Sequence, residues 1–434
     1  MGAEVQKVDV VVVGAGLAGL SCALEAARSG LSVLVIERGD HPGSKNVSGG
    51  RIYIDPIRPL LPEGLLADAP LERPVTQESL VLMGPSSSVT VSLAAQSLRD
   101  GDPRSFTVLR SRFDRWLGKK VEEAGGFVVA QSVVTGLVKD GSRIAGVRAG
   151  DEDIEADVVV AADGVLSFIA REAGLAPPLG PAGHALGVKE VVRLDPGRIE
   201  ERFGLLPGEG AARLLVGEVT SGMAGGGFLY TNRDSISLGV VLSLEDLGGR
   251  PPGADGSYTL LDALEERPEI RPLLEGGERV EYSAHLVPEL PDRLPARVAD
   301  GLLLAGDAAG LVLNHGFAVR GMDLAVASGV LAARACAEAK KKNDFSAASL
   351  SAYDRMLEES FVMRDVRAAS AAPAFMRRES LYTRYPRAVC DLVEEIFRVG
   401  PEGKGRLFPP AWKRIRGTFL SGAGLGDLWA ARKL

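Results

Sequence analysis

The chain has 434 residues, 53 of them glycine and 46% hydrophobic, which is enough for a large core and more than one layer or domain. A formal net charge of −7 gives no reason to expect nucleic acid as a partner. The three cysteines, Cys22, Cys336 and Cys390, lie far apart, suit a reducing compartment and cannot supply a four-thiolate iron–sulfur site. No metal site is expected.

Met1 to Val8 is charged and leads straight into a strand, so no signal peptide is expected. The longest uncharged run, Val10 to Leu24, falls short of the roughly 20 residues of a spanning helix. Val10 to Val13 is a β-branched run of the kind buried on both faces of a parallel sheet. Gly14, Gly16 and Gly19 follow at G-x-G-x-x-G spacing, with Leu17 and Ala18 opening a helix expected to run from Ala18 to Arg28. The first glycine allows the turn, the second lets backbone approach a pyrophosphate, and the third lets helix pack on strand. The helix N-terminus then faces the phosphates with free N–H groups. Leu31 to Ile36 reads as the next strand. Glu37 stands at its end, followed by Arg38, and its carboxylate can accept from both ribose hydroxyls of an adenosine while repelling a 2′-phosphate. This is a dinucleotide site that rejects NADP.

A loop dense in glycine and small polar residues runs from Arg38 to Gly50. Ser79 to Met83 and Val89 to Leu93 read as a hairpin around Gly84 to Ser88. Thr107 to Ala124 begins as a strand and becomes a helix. Strands are expected over Phe127 to Val138, which includes Val134, over Arg143 to Arg148, and over Val158 to Ala161, which runs into Ala162-Asp163-Gly164. From Ala185 to Leu244 short alternating strands indicate an antiparallel sheet. A helix over Ser257 to Glu266 and a strand over Val280 to Leu286 follow. The parallel pattern resumes at Gly301 to Gly310, and helices are expected over Gly321 to Lys341, Ala347 to Met363 and Tyr385 to Val399. The expected fold is α/β: an FAD-binding Rossmann-like domain of the glutathione-reductase/hydroxylase type, an inserted antiparallel β-sheet domain, and a helical C-terminal region. The expected boundaries are 1–180 and 296–345 for the two parts of the FAD domain, 181–295 for the sheet domain that takes quinone or substrate, and 346–434 for the helical region with its basic tail.

Two further motifs turn a dinucleotide into FAD. Leu302 to Gly310 is a buried strand ending in Gly306-Asp307, where the acid can bond a ribityl hydroxyl and the glycine admits the chain at close range. Asp163 to Arg171 has the pattern D-G-x-x-S-x-x-x-R, which resembles that of hydroxylase-like FAD enzymes. The ordered set G-x-G-x-x-G, R-x-x-F-D, D-G, G-D is far more specific than any one of them. No second G-x-G-x-x-G unit supplies a nicotinamide domain. Gly225-Gly226-Gly227 leads into Phe228-Leu229-Tyr230, an antiparallel strand pattern, so electrons are expected from a protein or a transient ligand.

Here the chain resembles the FixC-type (EtfC-type) flavoproteins of the electron-transfer flavoprotein–quinone oxidoreductase family, relatives of the geranylgeranyl reductases. The segments that carry the likeness are Pro42 to Gly50, Arg110 to Leu117, Gly187 to Val191, Gly225 to Val241 and Gly306 to Gly329. The resemblance implies an FAD that accepts electrons from the alpha and beta subunits of an electron-transfer flavoprotein, which bifurcates electrons from NADH, and passes them to a membrane quinone, menaquinone or ubiquinone. Single-chain members carry a four-cysteine cluster domain that this chain lacks, which implies a separate small ferredoxin-like iron–sulfur subunit. It also implies a cytoplasmic complex lying peripherally on the inner face of the cell membrane. The competing readings are a stand-alone geranylgeranyl reductase-like enzyme and a flavin monooxygenase. Gly226 to Asn232 speaks against the first, and the Phe228 to Val240 and Asn314 to Asp323 segments give the second no support.

In this superfamily the loop carrying Lys45, Asn46, Ser48, Gly49 and Gly50 reaches the flavin ring, where Lys45 balances negative charge or is a solvated loop lysine. His315 delivers a proton near the ring edge or is structural, and Gly316 follows it. Gly321 and Met322 start a helix whose N–H groups can face the ring. Arg112 contacts FAD or pairs with Asp114. Phe228, Leu229 and Tyr230 build an apolar slot, with Tyr230 a candidate catalytic group. From Lys404 to Leu434 seven basic residues and two tryptophans stand against one acid, which reads as a membrane-surface contact, a docking patch or a solvated tail.

Overall fold

A computed structural model describes residues 7–45, 50–251, 253–291, 293–316, 318–401, 403 and 408–432. Val8–Val13 is the central strand of the first sheet. It runs parallel to Val33–Ile36 on one side and Glu152–Ala161 on the other, with Phe127–Val129 and Leu302–Leu304 next outward. Val10, Val11 and Val12 are buried, as a strand covered on both faces must be. Val134–Asp140 and Arg143–Ala149 add an antiparallel meander to Glu152–Ala161. Helix Leu17–Arg28 packs against helix Met322–Lys342 so closely that a Cβ on Gly329 would lie 2.1 Å from the carbonyl oxygen of Ala18.

The second sheet has nine strands in the order Glu278–Pro288, His184–Arg193, Ser235–Ser243, Gly225–Thr231, Gly210–Gly217, Leu71–Met83, Ser105–Val108 and Gly50–Tyr53, with Ser88–Ala94 paired to Leu71–Met83. All these pairings are antiparallel except that of Gly210–Gly217 with Leu71–Met83. The sheet reaches further toward the N-terminus than residues 181–295, because Leu71–Met83, 13 residues long, pairs along its length with three different strands. One face carries Val81, Val188, Leu229, Leu238 and Val240 into a core capped by helices Pro196–Phe203 and Ser257–Glu265. Pro196–Phe203 is a helix that hydrophobic alternation hides, but it is well signalled at its ends. The Asp195 carboxylate accepts from the Arg198 N–H at 3.1 Å, proline follows the cap, and Gly204 closes the helix at φ 64°.

The helical region differs from expectation at two places. The stretch from Ala347 is three helices, Ala347–Leu350, Ala352–Glu359 and Phe361–Ala368, broken at Ser351 and Ser360; the Ser360 hydroxyl caps the Val362 N–H at 3.1 Å. Beyond helix Arg384–Phe397 the basic tail folds into two further helices, Phe408–Phe419 and Gly422–Ala431. No helix among the described residues is long and apolar enough to cross a membrane.

Candidate FAD and acceptor site

The glycine turn between Val8–Val13 and Leu17–Arg28 is shaped by contacts no side chain would survive. Gly14 has φ 100°, and a Cβ there would lie 2.5 Å from the Ala162 carbonyl oxygen; on Gly19 it would lie 2.0 Å from the Gly14 carbonyl oxygen. Gly16 is the extended residue that opens the helix, leaving the N–H groups of Leu17 and Ala18 at its first turn. Glu37 is buried at the end of Val33–Ile36. Its carboxylate accepts from the Ala15 N–H at 2.8 Å and the Gly39 N–H at 2.6 Å, which fixes it beside the turn. Arg38 is exposed next to it, and the exposed Lys45 has its stem against Gly39. Asn46, Ser48 and Gly49 lie outside the described residues.

Ala162, Asp163 and Gly164 sit beside this turn at the end of Glu152–Ala161. The Asp163 carboxylate accepts from the Ser167 hydroxyl at 2.6 Å and the Ile169 N–H at 3.1 Å, and Gly164 has φ 81°. Burial raises the Asp163 pKa, and the Ser167 bond opposes it. Gly306, at φ 63°, lies against Ala18, where a Cβ would sit 2.8 Å from the alanine methyl carbon. Asp307 follows; burial pushes its carboxyl up while the Arg110 guanidinium holds it down. Val134 is half-buried at the start of its strand, facing Ala149 across the meander.

Arginine placement corrects the sequence reading. Asp114 is bonded by Arg110, at 2.9 and 2.7 Å, and not by Arg112. Residues four apart share a helix face and residues two apart do not, so Arg112 turns away and pairs with Glu72 at 3.3 Å. Arg110 is therefore the cation beside Asp307. His285 was overlooked as well. It is half-buried on Glu278–Pro288, and burial, then Arg38 and Arg110, push its pKa down, so it faces the cradle as a neutral imidazole.

Strand Gly50–Tyr53 joins the cradle to the second sheet. A Cβ on Gly50 would lie 3.4 Å from the Met322 sulfur, at the start of the helix that Gly321 opens. Three residues on, the Tyr53 ring lies 4.4 Å from the Arg51 guanidinium and 5.7 Å from that of Arg320. Arg51 is held by Glu78 at 2.7 Å and Ser105 at 2.8 Å; Arg320 is held by Asp323 at 2.6 Å. Tyr230 joins this group, its ring stacked 5.2 Å from Phe228 and its hydroxyl pushed up by burial and influenced by Arg51, Tyr53 and Glu78. Phe228 lies over Gly239, where a Cβ would meet its ring at 2.5 Å. Beside Gly239 on the same face is Lys189, wholly buried, its ammonium 3.1 Å from Glu281 and its pKa lowered by burial to about 8.

Lys45, Tyr230 and His315 occupy three separate elements. His315 lies in the turn between Leu313–Asn314 and Val319–Arg320, where Gly316, at φ 80°, donates to Asn314 and approaches Met376. Glu190, Asp262 and Glu265 gather carboxylates on the opposite face of the sheet, with Arg279 paired among them.

The donor set fits FAD. Turns that only glycine can make would border a diphosphate, the fixed Glu37 carboxylate would take the ribose, and the buried Asp307 with Arg110 nearby would lie further along the chain of the cofactor. When bound, FAD supplies an electron carrier able to take up and release one or two electrons. Residues 9–178 match the FAD dependent oxidoreductase family. The chain is 44% identical to the "Probable electron transfer flavoprotein-quinone oxidoreductase YdiS" of Escherichia coli K12, over 95% of this chain and 94% of that one. It is 42% identical to protein FixC of the same strain over 90% of each. In fold it is similar to a geranylgeranyl bacteriochlorophyll reductase-like protein of Thermoplasma acidophilum, with a TM-score of 0.71, 21% identity, and coverage of 98% of this chain and 99% of that one. The chain belongs to the family of FixC and the electron transfer flavoprotein-quinone oxidoreductases, and it is an FAD-dependent oxidoreductase.

Proposed function

We propose that the chain takes electrons from the alpha and beta subunits of an NADH-fed, bifurcating electron-transfer flavoprotein onto its FAD and passes them to a membrane quinone. A separate small ferredoxin-like iron–sulfur subunit completes the relay, because three scattered cysteines cannot ligate a four-thiolate cluster. The complex works on the inner face of the cell membrane, where a long-chain quinone is dissolved. The observation that carries this reading is the aromatic and cationic face made by Arg51, Tyr53, Phe228 and Tyr230, joined to the FAD cradle by one four-residue strand.

A quinone is a flat apolar ring with two carbonyl oxygens that become negative as it is reduced. The Phe228–Tyr230 stack offers a surface for the ring. Burial keeps the Tyr230 hydroxyl protonated, hence a donor, and Tyr53 is raised by burial likewise. Arg51, pinned by Glu78 and Ser105, adds a fixed positive charge beside them. The test is anaerobic stopped-flow reduction of the FAD. The reading expects rapid bleaching by the reduced electron-transfer flavoprotein, slow bleaching by NADH alone, and reoxidation by a short-chain quinone once the iron–sulfur subunit is added. Rapid bleaching of the isolated chain by NADH would refute the relay and favour a stand-alone enzyme.

A further inference from the structure

Strand His184–Arg193 carries two adjacent ionisable residues that both lie inside the protein, Lys189 and Glu190, 0 and 1% exposed. Neighbours on a strand point to opposite faces, so Lys189 ends on the cradle side of the sheet and Glu190 under helix Ser257–Glu265. A bulge in the next strand serves both. Val191 faces Glu281 but Val192 faces Arg279, so one residue is extra and Arg279 and Glu281 leave the strand on opposite sides. Arg279 pairs with Glu190 at 2.5 Å, and Glu281 accepts from the Lys189 ammonium at 3.1 Å. An ammonium has three donors, and this is the one bond it makes among the described residues. The Glu281 side chain is 35% exposed, so the buried cation is joined to solvent through its partner.

Placement gives this pair a task. The cradle side of the sheet meets the FAD-binding part of the chain at two places. At one, His285, opposite Gly187, lies within reach of the Arg38 and Arg110 charges. At the other, Tyr230 lies by Arg51 and Tyr53, on the strand whose first residue approaches Met322. Lys189 stands between them. It is two residues along from Gly187, and it is paired through Gly239 with Phe228, whose ring covers that glycine. Other charges on this side are matched or distant. Ser237, Gly239 and Val241 bring none, Arg193 pairs with Glu278 at the open end of the strand, and Glu78 is held by Arg51. We propose that Lys189 and Glu281 form a redox-linked proton site, in which Lys189 holds a proton delivered from water by Glu281 as negative charge builds on the FAD. Two electrons come from a reduced flavoprotein donor, or from dithionite in a titration, and one proton comes from solvent; reoxidation returns both. Lys189 acts by its charge and not by contact with the cofactor. The proposal rests on FAD and is independent of which acceptor follows.

The experiment is a spectroelectrochemical titration of the full FAD-loaded chain from about pH 6 to about pH 10. Burial lowers the Lys189 pKa to about 8, against the Glu281 carboxylate, which raises it. Below that pH the ammonium is charged in both redox states and favours the reduced one; above it, reduction draws in a proton. Expected is a wild-type midpoint potential that falls more steeply above about pH 8, by one added proton per two electrons. Lys189→Met lacks this break and has the lower potential below it, and the two lines converge at high pH. Glu281→Gln, at a half-exposed position, moves the break to lower pH, because the lysine loses the charge that supports its proton. A lysine that only fills space moves none of these, and should Lys189→Met fail to fold, Glu281→Gln decides. A wild-type line without a break near pH 8 overturns the proposal. So does a break retained in Lys189→Met or left unmoved in Glu281→Gln. A chain that shows these shifts yet reduces no quinone sinks the acceptor reading above and leaves this one standing.

Discussion

Gly329 offers the sharpest test of how the cradle is held. Its missing side chain lets helix Met322–Lys342 meet helix Leu17–Arg28 backbone to backbone, and both helices begin at the glycine motifs of the cofactor site. In Gly329→Ala the new methyl would sit 2.1 Å from the Ala18 carbonyl oxygen and 3.0 Å from the Cys22 nitrogen, where ordinary contact begins at 3.4 Å. Both neighbours are backbone, so the helices must part by roughly 1 Å, and such overpacking costs about 1–3 kcal/mol, here toward the upper end. Alanine in place of a helical glycine returns about 1 kcal/mol of propensity. The net loss is about 2 kcal/mol, close to a thirtyfold change in the folding equilibrium. Gly417 is the control, a helical glycine with nothing within 4 Å of its missing Cβ. Gly417→Ala gains up to about 1 kcal/mol. Urea unfolding of both variants reads the two signs, and flavin content after purification reads the cradle, which loses occupancy only in Gly329→Ala. A Gly329→Ala protein as stable as wild type with full flavin would refute the close packing inferred here.

Three further outcomes follow from the site. Glu37→Ala removes the carboxylate proposed to hold the ribose and, on that reading, weakens FAD by about 1–3 kcal/mol, read by calorimetric titration of the apoprotein. Lys189 titrates near pH 8 in the folded chain and at its ordinary value of 10.5 unfolded, so between these the unfolded state binds more protons. Wild-type stability therefore rises from pH 8 to 10.5 relative to Lys189→Met, and this relative gain is lost again as the pH falls through 8; parallel unfolding profiles would show that the lysine is not desolvated. Tyr230→Phe removes the buried donor, slowing quinone reduction by about 100-fold while leaving FAD reduction by the donor protein unchanged.

What could be read from the chain alone was whatever is local. The strand–turn–helix from Val8 to Arg28 and the acid at Glu37 carry their geometry in consecutive residues, and Asp163 and Gly306 announce themselves at strand ends in the same way. Leu71–Met83 could not be assigned to its sheet, because its neighbours Gly210–Gly217 and Ser105–Val108 are chosen by long-range burial and not by any nearby residue. Arg110 was within reach: counting four residues along the helix, and not two, selects it over Arg112 as the partner of Asp114. His285 and Lys189 had no local signal. Each matters because a pleated face turns it toward groups more than ninety residues away in sequence, Arg110 and Glu281. The tail helices were masked by proline and glycine, which argue against a helix until Ser421 caps one and Asp427 latches it.

The two sheets share the chain in turn. The first takes its strands from 8–36, 127–161 and 298–304, the second from 50–108 and 184–288, so the polypeptide passes between them four times. A single linker would be a hinge; four crossings leave no axis about which one sheet can swing away from the other. For a protein that moves electrons this has a kinetic meaning. Tunnelling rates decay exponentially with the gap between carriers, and with the acceptor on the proposed Phe228–Tyr230 face that gap would be set by the fold and would not fluctuate with an opening motion. The rate of the internal electron step would then be built into the covalent path, and the slow, adjustable part of turnover would be left to the encounters at the surface.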